Sequence, residues 1–138
     1  MNNKKLLLIG FLGATAVALG AMGAHFLKAK IQTGLITTDQ LDGFDKGVKY
    51  QMYHTLAMMI LLILNHIQPS KYFEWASKLF FWGIVLFSCS LYFLCTRHLL
   101  GADWLKVLGP ITPIGGICFM LGWLCLCMPL LKKNNSKN

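Results

Sequence analysis

Apolar residues in this chain run in four long blocks, and the polar residues gather between them. The blocks extend over about 6–27, 48–65, 76–96 and 107–131. At a rise of about 1.5 Å per residue, the first block reaches about 33 Å, enough to cross a hydrocarbon layer of about 30 Å. Inside such a layer every backbone amide must be satisfied within its own segment. Blocks of this length do so as helices, whereas barrel strands are shorter and alternate. The pattern predicts an all-α fold: one four-span membrane domain over 1–138, with a basic polar tail at 132–138.

The intervals refine this picture. The longest, Lys28 to Gly47, holds Thr37 and Gln40 at capping-box spacing, with Asp39 and Asp42 in the turn that follows; a helix therefore starts near Thr38. Leu41, Phe44 and Val48 form an apolar stripe, while Asp42 with Lys46 and Asp45 with Lys49 are i, i+4 pairs on the polar side. This predicts a short interfacial helix that bends at Gly43 and Gly47 into the second span. Pro110 and Pro113 interrupt the fourth block early. The first block follows Lys4 and Lys5 and ends in small residues, as a secretory leader does, but a leader's apolar region is about 7–15 residues. It is read as a retained span.

Composition agrees. Hydrophobic residues make up 56% of the 138 positions and charged residues 13%, about half the charge of an ordinary soluble domain. A soluble globule and a disordered chain are excluded on these figures. A disulfide-stapled domain is excluded because all five cysteines lie in apolar runs. The net charge of +8 would suggest nucleic acid, yet the lysines sit at span ends, where they snorkel to anionic head groups. No basic patch interleaved with aromatics exists, so the expected partners are membrane lipids and a second copy or another membrane protein. Trp75, Trp82, Trp104 and Trp123 read as an interfacial belt.

Four spans put both termini on one side, here the near side. That side carries Lys4, Lys5, Lys71, Lys78, Lys132, Lys133 and Lys137, against Lys28, Lys30, Lys46, Lys49, Arg97 and Lys106 on the far side. Seven basic residues against six predict cytoplasmic termini of a plasma-membrane protein.

Polar side chains inside spans are expensive and therefore mark candidate sites. They are His25 in the first span, Gln51, His54 and Thr55 in the second, Ser88 and Ser90 in the third, with Arg97 and His98 at its exit, and Thr112 in the fourth. Apart from the mid-depth Ser88, counting residues along each span gathers them in the far leaflet. The cluster His25, Gln51, His54, Ser90, Arg97 and Thr112 reads either as a hydrogen-bonded clamp between helices or as a small-ligand or ion site. Haem ligation by His25 and His54 is its most specific form. The cysteines lack zinc-site spacing and no catalytic motif is present, so no metal, no cofactor and no enzyme activity are expected. Gly20 and Gly23 with Ala16 and Ala24 form a small-residue face suited to close helix packing and to self-association. In the fourth span, the stretch from Pro110 and Pro113 to Gly115 and Gly116 is where backbone could open for a solute.

Gly20-Ala21-Met22-Gly23-Ala24-His25, Tyr50-Gln51-Met52-Tyr53-His54, Leu86-Phe87-Ser88-Cys89-Ser90-Leu91-Tyr92 and Thr112-Pro113-Ile114-Gly115-Gly116, followed by Gly122-Trp123, occur in that order. Together they resemble the family called domain of unknown function 423, to which animal transmembrane protein 256 is related. The likeness spans about Gly10 to Trp123; Cys89 stands where the family often has Gly. It implies a compact multi-pass bacterial membrane protein and carries over no activity, cofactor or catalytic residue. The function expected is a non-catalytic structural, accessory or assembly role. A solute or ion transport module is the alternative, and a haem- or quinone-binding redox subunit comes after it.

Overall fold

Each helix starts and stops where local chemistry dictates. The computed structural model describes residues 3–134, with side chains to position 129, and the regular elements among them are all helical. Helix α1 (Asn3–Ile31) ends at Gly34, whose φ of 71° lets the chain reverse. The Gly34 amide donates to the Ile31 carbonyl at 3.0 Å and the Leu35 amide to the Lys30 carbonyl at 3.2 Å, a Schellman closure. Helix α2 (Thr38–Ile67) opens on the expected capping box: the Gln40 amide donates to Thr37 Oγ1 at 3.2 Å, and the Thr37 amide to Gln40 Oε1 at 2.9 Å. Three residues later Ser70 caps α3 (Lys71–Thr96), a link so short that α2 and α3 must be antiparallel neighbours. Gly101, at φ 61°, closes α3 as Gly34 closes α1, with Ala102 donating to the Arg97 carbonyl at 2.9 Å. A 3-10 segment (Asp103–Leu108) leads into α4 (Ile111–Asn134). Two widened π turns, Gly23–Leu27 in α1 and Ile84–Cys89 in α3, interrupt otherwise regular helices.

All four helices are long and apolar enough to cross a membrane. Helix α2 is central: α1 and α3 pack on it from either side, and α4 packs on α3. Near-side packing joins Ile9, Leu12, Met58, Leu61, Phe80, Ile84 and Phe119, and far-side packing joins Leu27, Ile36, Phe44 and Cys95.

Some expectations change. The interfacial helix and the second span are one uninterrupted helix, and the stripe of Leu41, Phe44 and Val48 packs against the bundle, not lipid. Gly43 and Gly47 do not bend it. They admit α3, since a Cβ on Gly47 would lie 2.9 Å from Tyr92 Cε1 and one on Gly43 2.7 Å from Cys95 Sγ. Pro110 stands in the turn between the 3-10 segment and α4, within the apolar block, whereas Pro113 lies in the first turn of α4, where amides have no intrahelical partner, and does not break that helix. On the small face of α1, Ala16 is fully buried and Gly20 and Gly23 lie against Val48 and Phe44 of α2, while Ala24 is exposed. The first positions of the basic tail, 132–134, continue α4, and 135–138 lie outside the described residues.

Candidate functional site

Hydrogen bonds among buried polar side chains tie the four helices together at three places. The central one is Gln51, 3% exposed near the middle of α2. Its Nε2 donates to the Leu12 carbonyl at 2.8 Å and to Thr15 Oγ1 at 2.9 Å on α1, and its Oε1 accepts from the Tyr92 hydroxyl of α3 at 2.8 Å. The Thr55 hydroxyl, one turn on, donates to the Gln51 backbone carbonyl. Both amide hydrogens and the amide oxygen are thereby used, and one side chain joins three helices.

The second tie is His54, 5% exposed. Its Nδ1 lies 2.8 Å from the Tyr50 carbonyl, and Trp123 Nε1 of α4 lies 3.2 Å from its Nε2. An indole nitrogen only donates, so Nε2 must accept and Nδ1 must carry the hydrogen that the Tyr50 carbonyl receives. One neutral tautomer satisfies both bonds. Phe119 lies parallel to the imidazole, with ring centroids 3.5 Å apart and planes within 10°, and Phe80 stands at 5.1 Å. A lateral groove of about 640 Å³ between α2 and α4, lined by Tyr50, Tyr53, Phe87, Met120 and Trp123, opens beside the ring.

The third tie joins α3 to α4. Ser90 Oγ donates to the Phe87 carbonyl at 2.9 Å and lies 2.7 Å from Thr112 Oγ1. Since the serine's single hydrogen goes to Phe87, Thr112 is the donor between the two hydroxyls.

The structure thus gives Gln51, His54, Ser90 and Thr112 partners across helices, in three ties strung through the bundle. His25 stands apart, exposed on the π turn of α1. Gly23, two residues before it, packs against Phe44, so His25 lies about three helical turns along α2 from His54. The two cannot share one haem iron, and both nitrogens of His54 are already engaged. Arg97, just beyond α3, donates from Nη1 to the Leu94 carbonyl at 2.7 Å, while its buried Nε has no partner among the described residues. Ser88, fully buried in the π turn, likewise has no partner for its hydroxyl. No group of three His, Cys, Asp or Glu side chains suited to a metal occurs among the described residues. On α4, Gly115 is the close-approach residue: a Cβ there would lie 2.8 Å from the Leu86 carbonyl carbon, whereas at Gly116 the nearest atom is 4.0 Å away.

Sequence reasoning missed Thr15, Phe119 and the role of Trp123. Thr15 was legible as a hydroxyl amid an apolar span. Trp123 was assigned to an interfacial belt by residue type, and only its placement opposite His54 shows the bond.

Residues 19–116 match the family model described as "Protein of unknown function (DUF423)". A UPF0382 membrane protein of Staphylococcus epidermidis is 38% identical over 130 residues, covering 94% of this chain and 97% of its own. The UPF0382 membrane protein YwdK of Bacillus subtilis is 35% identical over 131 residues, 94% and 98% of the two chains. A UPF0382 membrane protein of Haemophilus influenzae is 34% identical over 135 residues, 98% and 99%. No solved structure matches. With matched residues running from the first span into the fourth and near end-to-end likeness to these relatives, the chain belongs to the DUF423 family, the UPF0382 membrane proteins.

Proposed function

We propose that the chain is a non-catalytic structural or accessory protein of the plasma membrane, with cytoplasmic termini, in which buried polar residues hold four helices in one arrangement. Gln51 carries the reading: both hydrogens and the oxygen of its amide are engaged by α1 or α3, so its polar groups serve to join helices. His54 supports it in the same way, with both ring nitrogens engaged. A transport module would need opened backbone in the fourth span, and the prolines that suggested one stand at the start of α4. Outward apolar faces on α1 (Leu7, Phe11, Val17) and α4 (Ile117, Met120, Leu124) are available to lipid or to a membrane partner.

The test pairs stability with flux. His54→Ala is expected to lower the stability of the solubilised protein by about 1–3 kcal/mol, the cost of leaving buried polar groups unpaired, with no ion or metabolite flux in proteoliposomes of either protein. A flux through the native chain that His54→Ala abolishes at an unchanged melting midpoint would overturn the reading. The basic-residue count of seven against six supports the orientation; an alkaline phosphatase fused after Asn138 should be inactive, and activity would reverse it.

A further inference from the structure

At the near side, α1 and α3 both lean on α2 without closing on each other, leaving a lateral cleft of about 180 Å³. Its floor is Met58, Leu61 and Leu62 of α2, and Ile9 and Phe81 stand on its two walls. Lys5, Glu74 and Lys78 form its rim, and Lys5 Nζ reaches Glu74 Oε1 across the mouth at 3.3 Å.

We propose that this cleft seats one anionic phospholipid of the phosphatidylglycerol type, an acyl chain lying on the Leu61 floor and the phosphate at Lys78. Two arguments commit it to that occupant. Asn65 and Ser77 also line the cleft, but Ile9, Met58, Leu61, Leu62 and Phe81 offer no partners to water and forfeit dispersion contacts if left bare, so the filling along the floor is a hydrocarbon chain. The rim then meets the head group, and its charge is positive. Lys5 and Lys78 outweigh Glu74, the only glutamate of the chain; Lys4 and Lys71 lie within a turn of the rim, and the four aspartates are all on the far side. Lys78 sits two turns into α3, and its Cβ tilts toward the helix start, which carries the ammonium back to the phosphate level. A zwitterionic lipid would bring a further cation to this rim; a phosphatidylglycerol brings none.

Native mass spectrometry of the protein released from nanodiscs holding equal phosphatidylglycerol and phosphatidylcholine decides the matter. One phosphatidylglycerol should be retained over phosphatidylcholine by about fivefold or more, the worth of roughly one lysine at an anionic surface. Lys78→Glu should bring the two lipids to parity, with Lys78→Gln used where the reversal disturbs the fold. Leu8→Trp, which fills the cleft from α1, should lower retention of both, while Lys106→Glu on the far side should change nothing. Equal retention by the native chain, or a preference that survives both Lys78 variants, overturns the proposal. So does displacement of the adduct by inorganic phosphate, which assigns the rim to a soluble anion, or a lipid-free dimer lost on Leu8→Trp, which assigns the cleft to a second copy.

Discussion

His54 shows how much a single imidazole inside a bundle is constrained by what surrounds it. A carbonyl on one side and an indole N–H on the other admit only the Nδ1–H form; a second proton would set Nε2–H against Trp123 Nε1–H. Trp123→Phe keeps an aromatic ring over the groove but removes the donor, leaving Nε2 without its partner. The expected cost is about 1–3 kcal/mol, read as a lowered midpoint of thermal unfolding in detergent; an unchanged midpoint would mean the 3.2 Å contact contributes nothing. The sequence marked His54, Gln51, Ser90 and Thr112 as residues that must find partners, because the expense of a polar group in hydrocarbon depends on the residue alone. It could not say which partners. Thr15 meets Gln51 and Trp123 meets His54 through the register between helices, and periodicity along one helix carries no information about the register of two. His25 shows the converse: its type and its place in the first span suggested a site, and its exposed position on a π turn removes it from one.

Among the elements, α3 and α4 form the tightest pair, and small residues make it so. Gly83 receives Phe119, Gly122 receives Phe80, and Gly115 rides on the α3 backbone at Leu86 and Phe87. Gly115→Ala should push the two helices apart at a cost of about 1–3 kcal/mol and strain the Ser90–Thr112 bond one turn away. Gly116→Ala should be nearly silent, its nearest neighbour being 4.0 Å off. Comparing the two variants by thermal unfolding separates close approach from glycine content; equal effects would contradict the contact. Here the sequence was legible in part. The capping box at Thr37 and Gln40 was readable because both of its partners are local. The continuity of α2 was not, because Gly43 and Gly47 look like bends until the facing Cys95 and Tyr92 are in place. Pro113 depends on context in the same way, since its meaning follows from where the first turn of α4 begins.

For the molecule as a whole, length and composition were enough to give four membrane-crossing helices, since spanning a bilayer requires little beyond apolar length. Three-dimensional packing added the division of labour: α2 as the axis, α1 held to it by small residues and by Gln51, α4 held to α3 by glycines and to α2 by His54. It also added the near-side cleft, which no reading of single blocks reveals, because it lies between α1 and α3 where their apolar walls stand apart below the Lys5–Glu74 pair. The two π turns have a further consequence. A widened turn of this kind absorbs one residue beyond what a regular helix needs between the same two flanking faces, so α3 carries a surplus residue within Ile84–Cys89. Deleting half-buried Val85 should let the segment tighten into ordinary helix while Phe80 stays on Gly122 and Ser90 on Thr112. Deleting Leu79 or Leu91 should turn everything beyond it by about 100° and unfold the bundle, a contrast that melting midpoints or membrane yield would report. The tolerance of this chain to a lost codon is therefore localised: in mid-membrane, where a missing residue is ordinarily ruinous, α3 has six positions at which its frame has slack.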